Sequence, residues 1–298
     1  MNHSPRQWKS MGKSLRLNGH SLFVLDSADA GKHPTPDKPC ILLLHGYPTS
    51  SWDWERLWPL LTEDFRLIAL DFLGFGFSDK PYPHHYKIQE QADIVDALVQ
   101  QLGLTQFHVL SHDYGDTVAQ ELLARQNERE HPQWLSVCLL NGGLFPETHR
   151  ARLIQKLLAG PLGPFLTRHM GKQSIHNTMK RIFGPETQPD AELIEGYWEL
   201  INFNNGRRTL HKLIDYMKQR RQHRARWVQA LADSRIPIGL INGAVDPISG
   251  AHMVARYKEV VGPPLMILSL ANIGHYPQWE APDQVNQAYR QFLQAALD

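Results

Sequence analysis

Asp113 stands in the segment Ser111-His112-Asp113-Tyr114-Gly115-Asp116, after an apolar run and ahead of a helical pattern with Val118, Ala119, Leu122 and Leu123 on one face. A sharp strand-to-helix turn that lifts one reactive side chain clear of the backbone needs small residues two positions to either side of it. Ser111 and Gly115 are those residues, so the side chain at the apex is a carboxylate. Taking Ser111 as the apex would force the charged Asp113 into the crowded position. The helix that follows turns backbone N–H groups and the positive end of its dipole towards the apex, which favours the ionised, nucleophilic form. A lone Asp before a helix is more often a simple cap; its companions elsewhere in the chain point to chemistry.

Upstream, His45-Gly46-Tyr47-Pro48 follows another apolar run. The backbone N–H groups of Tyr47 and Tyr114 are the expected pair of donors for an oxyanion. His45 and His112 themselves read as structural rings. Downstream, Asp246 lies in Asn242-Gly243-Ala244-Val245-Asp246-Pro247 and His275 in Gly274-His275-Tyr276-Pro277, each just after a run that reads as a strand. The order nucleophile, acid, base is one that a catalytic triad uses, with Asp246 orienting His275. Asn141 and Glu147 occupy a second place where an acid can stand, but Asp246 fits the spacing better. Glu280 is expected to bond backbone or to cap the last helix.

A carboxylate that attacks an acyl carbonyl gives an anhydride and gains little, whereas attack on a saturated carbon gives an alkyl ester of the protein. Epoxides and alkyl halides suit that route, with His275 activating water against the ester. An opening epoxide becomes an alkoxide whose conjugate acid has a pKa near that of water, about 15.7, so it needs a donor such as a tyrosine at about 10. A halide needs only N–H donors.

The elements that must position these groups are legible. Apolar runs predict strands at Ser14–Leu17, Leu22–Leu25, Ile41–Leu44, Leu67–Leu70, Phe107–Leu110, Ser136–Leu140, Ile238–Ile241 and Leu265–Leu270, and Ile94, Ala97, Leu98 and Leu102 give helical spacing across 88–102. This alternation predicts an α/β protein with an eight-stranded, mostly parallel sheet and helices on both faces, and the turn at Asp113 with the order Asp113, Asp246, His275 resembles the α/β-hydrolase fold. Between 144 and 226 no strand is evident, only helical segments broken by Pro161, Gly163-Pro164, Gly184-Pro185, Pro189 and Asn204-Asn205-Gly206. The expected organisation is a core of 1–143 and 227–298 with a helical cap at 144–226 over the carboxyl ends of the strands.

Lys plus Arg number 31 against 30 Asp plus Glu, which gives no electrostatic reason to expect nucleic acid. Cys40 and Cys138 fall inside apolar runs and read as buried free thiols, not as a disulfide. The absence of a leader pattern or a membrane-length apolar run points to a cytoplasmic protein with no membrane insertion. The expected partner is a small hydrophobic molecule, no cofactor or metal is called for, and the residues do not fix an oligomeric state. The basic run Lys218 to Arg226 reads as a solvated helix face, with an anion-docking surface as the sharper alternative.

These residues resemble epoxide hydrolases and haloalkane dehalogenases, through His45 to Pro48, the segment Asp71 to Pro81, Asp113, Asp246 and His275. A closer similarity, over nearly the whole chain, is to the mesoderm-specific transcript family and its bacterial relatives, through Ser111 to Leu123, Asn141 to His149 and Arg226 to Leu231. The resemblance implies a covalent alkyl-enzyme hydrolase. It points to Tyr216 as a ring-opening donor, with Tyr197, His149 and His176 as further substrate-binding candidates in the cap. Dehalogenases usually carry Trp after the nucleophile and often Asn in the loop near 47. Here those positions hold Tyr114 and Tyr47, leaving Trp198 as a substitute halide donor. The expected activity is epoxide hydrolysis, with haloalkane dehalogenation as the enzymatic alternative and a ligand-binding or interaction protein of the same fold as the third. The N-terminal apolar segment of the animal protein is not seen, so a membrane location is not carried over.

Overall fold

The computed structural model describes residues 3–29, 38–129, 133–150 and 153–297. Its eight strands are β1 (Lys13–Leu17), β2 (His20–Asp26), β3 (Cys40–Leu44), β4 (Arg66–Leu70), β5 (Phe107–His112), β6 (Trp134–Leu140), β7 (Ile238–Gly243) and β8 (Met266–Leu270). Every expected strand is present, most of them longer by a residue or two. They form one sheet in the order β1-β2-β4-β3-β5-β6-β7-β8. β2 pairs antiparallel with β1 and β4, and all other neighbours are parallel.

The parallel centre is possible because its strands are apolar on both faces. β3, β5 and β7 are buried along their whole length, and helices cover the sheet on either side. The helix Ile88–Gln101 buries Ile88, Ile94, Val95, Leu98 and Val99 and packs on the helix Tyr114–Glu128. Cys40 and Cys138 are buried and free. A short helix at Pro5–Met11, not anticipated from the sequence, is started by a reciprocal cap between Ser4 and Gln7 and is anchored by buried Trp8, whose indole donates to Ser51 Oγ at 3.1 Å.

β3 lies between β4 and β5, so successive crossovers leave it in opposite directions and open a crevice at its carboxyl end. The loops carrying residues 45–48, 113, 141, 246 and 275 all emerge at that end.

Between β6 and β7 the chain is helical, with helices at Leu153–Leu158, Gly163–His169, Lys172–Ile182, Ala191–Asn202, Leu210–Leu213, Tyr216–Gln222 and Arg224–Ala232. The breakers read from the sequence fall at their boundaries. Asn204 and Asn205 adopt left-handed backbone, at φ 51° and 57°, where the chain kinks. This helical layer is tied down by charge: Arg224 and Arg256 both pair with Glu147, and Arg226 pairs with Glu121 and Glu128. Arg224 and Arg226 of the basic run thus form a latch at the surface, but Arg220 within it is buried. Among the described residues no helix is long and apolar enough to cross a membrane.

Candidate active site

Position 113 is where β5 hands over to the helix Tyr114–Glu128. Asp113 takes φ 45° and ψ −99°, a backbone state that costs a residue with a side chain on the order of 1–3 kcal/mol. Close packing enforces the turn. A Cβ on Gly115 would collide with the carbonyl oxygen of Leu44, and one on Gly46 with the His112 ring. Ser111, the other small residue of the turn, is buried and donates its hydroxyl to Asp116.

The Asp113 carboxylate is buried and flanked on two sides. Its Oδ2 accepts the Tyr47 N–H at 3.2 Å and lies 3.9 Å from His275 Nε2. Its Oδ1 lies 3.6 Å from Arg220 Nη2, and the same nitrogen donates to the Asp113 backbone carbonyl at 3.1 Å. Burial by itself would raise the carboxyl pKa, but His275, Arg220 and His112 outweigh it and hold the group ionised, well below the usual carboxylate range.

His275 Nδ1 lies 2.7 Å from Asp246 Oδ2. Burial opposes charge on the ring, yet Asp246 and Asp113 together push it up to about 10. Asp246 is caged by Asn141 Nδ2 at 3.0 Å, Ser249 Oγ at 3.0 Å and the N–H groups of Ile248 and Ser249 at 2.8 and 3.2 Å. These donors and the imidazole keep it ionised despite burial. Asn141 thus serves the acid without replacing it.

The loop bearing His275 is held from several directions. Its own N–H donates to the carbonyl of Ile182, in the helical layer, at 2.8 Å, and its carbonyl accepts from His112 Nε2 at 2.7 Å. Glu280 accepts from the N–H groups of Gly274 and Tyr276, both at 2.9 Å, and of Gly184 at 2.7 Å. Glu280 binds backbone, as expected of it. His45 likewise accepts from Phe72 N at 3.0 Å, and burial pushes its ring down to about 4.

Above Asp113 and His275 is a small cavity of about 60 Å3, walled by Tyr47 and Pro48 from the core and by Leu158, Met170, Ile175, Met179 and Ile182 from the helical layer. Among the described residues, polar groups enter it through Asp113, His275, Gln155, Thr178 and Tyr47. Among the described residues no group of three or more His, Cys, Asp or Glu side chains is arranged to hold a metal ion. A buried ionised carboxylate, a backbone donor, an imidazole and a second acid meet here under an apolar roof. Residues 39–282 match the alpha/beta hydrolase fold family.

The chain belongs to that family. The mesoderm-specific transcript homolog protein of Bos taurus is 45% identical to this hydrolase, over 96% of this chain and 87% of that protein. The putative hydrolase LipZ of Mycobacterium tuberculosis is 37% identical over 96% of each. Among solved structures, a loop variant of the haloalkane dehalogenase DbeA from Bradyrhizobium elkanii superposes with a TM-score of 0.78, covering 96% of this chain and 97% of that one at 20% identity, a likeness of fold.

The cap candidates fare unevenly in this hydrolase. Tyr216 is buried, its ring 5.9 Å from Tyr47 and 5.1 Å from Tyr114 with the Arg220 guanidinium over it at 4.5 Å, but it does not line the cavity. Tyr197 is a correction. It faces away from the cavity and packs edge-on against Trp52, close to Tyr276 and Trp279. Trp198, the next residue on the same helix, must point elsewhere, and it lies under the Arg207 guanidinium at 5.3 Å. His176 is on the outer face of its helix, whose inner face is Ile175, Met179 and Ile182. His149 touches Arg220, not the cavity.

Arg220 is the residue that sequence reasoning missed. Besides Asp113 it donates through Nε to Thr117 Oγ1 at 2.7 Å, and it is 2% exposed. Inside a basic run nothing marks one arginine as turned inward. Its partners lie about a hundred positions away in the chain.

Proposed function

We propose that this hydrolase opens epoxides by covalent catalysis, with Asp113 as nucleophile, His275 as base and Asp246 as its orienting acid. The observation that carries this reading is the carboxylate at the strained apex, ionised, with one oxygen on the Tyr47 N–H and the imidazole beside it. No hydroxyl competes for that place.

Oδ1 attacks the less hindered ring carbon. The carbon–oxygen bond breaks, its electron pair goes to the departing oxygen, and that oxygen takes a proton. This reading assigns the donor to Tyr216, which burial and the Asp113 charge keep protonated, and requires its ring to turn out from under Arg220 into the cavity when substrate binds. The product of this step is an ester at Cγ, with Oδ2 as its carbonyl oxygen, already on the Tyr47 N–H. His275 then takes a proton from water as that water adds to Cγ. The tetrahedral oxyanion on Oδ2 is held by the N–H groups of Tyr47 and Tyr114. On collapse the Cγ–O bond to the substrate breaks and the departing oxygen takes the proton from His275, releasing the diol, while the remaining acid proton returns to the Tyr216 phenolate and restores the carboxylate.

Dehalogenation would use the same nucleophile, and the likeness of fold keeps it as the second reading. Weighing against it, the residue after the nucleophile, Tyr114, has no side-chain N–H and is packed among Phe72, Phe75 and Tyr216, and none of the residues lining the cavity is a tryptophan.

The test is His275→Gln incubated with terminal epoxides and bromoalkanes of matched length. An adduct of the epoxide's mass on Asp113, and diol from the unsubstituted protein, are expected. Bromide without diol, or an adduct mapping to another residue, refutes the reading.

A further inference from the structure

Arg220 also lines a second hollow, of about 430 Å3, together with Pro146, His149, Arg150, Lys156, Met217 and Arg221. No carboxylate is among these residues. The charges nearby are otherwise matched: Asp113 and Asp246 are offset by His275 and Arg220, and Arg224, Arg226 and Arg256 all pair with glutamates. Arg150, Lys156 and Arg221 have no acidic partner among the described residues. Cations gathered around one concavity without counter-charge repel one another and concentrate anions there.

His149 supplies an independent observation. Its Nδ1 is 3.4 Å from Arg220 Nη1, and a guanidinium can only donate, so Nδ1 accepts and the proton resides on Nε2. Burial and the Arg220 charge push the ring down to about 3, so it is neutral. Nε2 is shielded from solvent and has no partner. It is an N–H donor left without an acceptor beside a buried guanidinium.

The hollow and the apolar cavity share a wall. On the helix Leu153–Leu158, Lys156 lines the hollow while Gln155 and Leu158 line the cavity, and the two spaces approach each other at Arg220, 3.6 Å from the nucleophile. We propose that the hollow is an anion subsite of the active site, which takes a carboxylate or phosphate group that the epoxide carries within a few bonds of its reacting carbon. This deepens the epoxide reading and rests on it. A bound anion draws the Arg220 guanidinium off Oδ1 and leaves that oxygen free to attack, whereas a neutral substrate leaves the clamp in place.

The experiment compares glycidyl phosphate, an epoxy acid of the same length and neutral glycidyl methyl ether, using the unsubstituted protein and the double variant Lys156→Gln, Arg221→Gln. Both changed residues are exposed and stand outside the reacting set. The anionic epoxides are expected to exceed the ether by about tenfold or more in kcat/KM at low ionic strength, and the double variant to lose that preference through KM, with ether turnover unchanged. The ranking of phosphate against carboxylate identifies the head group. Equal turnover of all three epoxides overturns the subsite and leaves epoxide hydrolysis standing. Should no epoxide react, the parent reading falls, and calorimetry with inorganic phosphate decides: saturable binding lost in the double variant supports the anion site, and no binding overturns it.

Discussion

Alkylating Asp113 removes the negative charge that helps to keep His275 protonated, and this makes the two chemical steps respond differently to pH. In the resting site the imidazole is pushed up to about 10, so it is a cation through the neutral range. Its Nε2 is 3.9 Å from Asp113 Oδ2. With an effective dielectric of about 20, two unit charges at that separation interact by about 4 kcal/mol, equivalent to about three pH units. Losing the carboxylate's charge takes away stabilisation of the cation, so the sign is downward, and the ring becomes a free base at the stage that needs one. Ester formation is therefore expected to be flat from about pH 5 to 9, because Asp113 stays ionised throughout, while ester breakdown rises with pH to a plateau whose midpoint lies about three pH units below the resting value. Rapid quenching followed by intact-mass measurement, at a series of pH values, gives both rates separately. Breakdown that still climbs between pH 9 and 10, or formation and breakdown sharing one midpoint, would refute the coupling.

Tyr216→Phe is expected to slow epoxide turnover about 100-fold or more while sparing any bromoalkane turnover, since only the alkoxide needs a proton; equal effects on both would exclude Tyr216 as donor. Glu280→Ala strips the acceptor from the N–H groups of Gly184, Gly274 and Tyr276 and is expected to lower unfolding stability by about 3 kcal/mol, read from urea denaturation; an unchanged midpoint contradicts it. Gly115→Ala drives a methyl group into the Leu44 carbonyl and is expected to cost about 2–3 kcal/mol, whereas Gly171→Ala, in open space, stays within about 0.5 kcal/mol; comparable thermal melts for the two would show that the elbow is not sterically fixed.

The strands were legible because a parallel sheet covered on both faces demands unbroken apolar runs, as in Cys40–Leu44 and Ile238–Ile241, and few other structures do. Asp113 was legible for a steric reason, since Gly115 two positions on has no room for a Cβ against Leu44. His275 and Asp246 could be named because each follows a strand. The helix at Pro5–Met11 carries its signal in Ser4 followed by Pro5 and then Gln7, too short a pattern to stand out without an apolar repeat behind it. The helical layer was harder. Tyr197, Trp198 and His176 carry suitable groups, but which helix face meets the core is set by packing across the whole chain, and no local spacing shows it. Arg220 is the extreme case: its surroundings in sequence are solvent-exposed cations, and only the fold reveals that this one reaches Thr117 and Asp113.

The backbone N–H of His275 is bonded to Ile182, and Glu280 grips Gly184 and Gly274 at once, so the general base is stitched to its own roof. A helical layer tied this way would not lift without loosening the imidazole's footing. Under the proposed mechanism, opening would disarm the second step, and a substrate ester on Asp113 would meet activated water only after the door had shut.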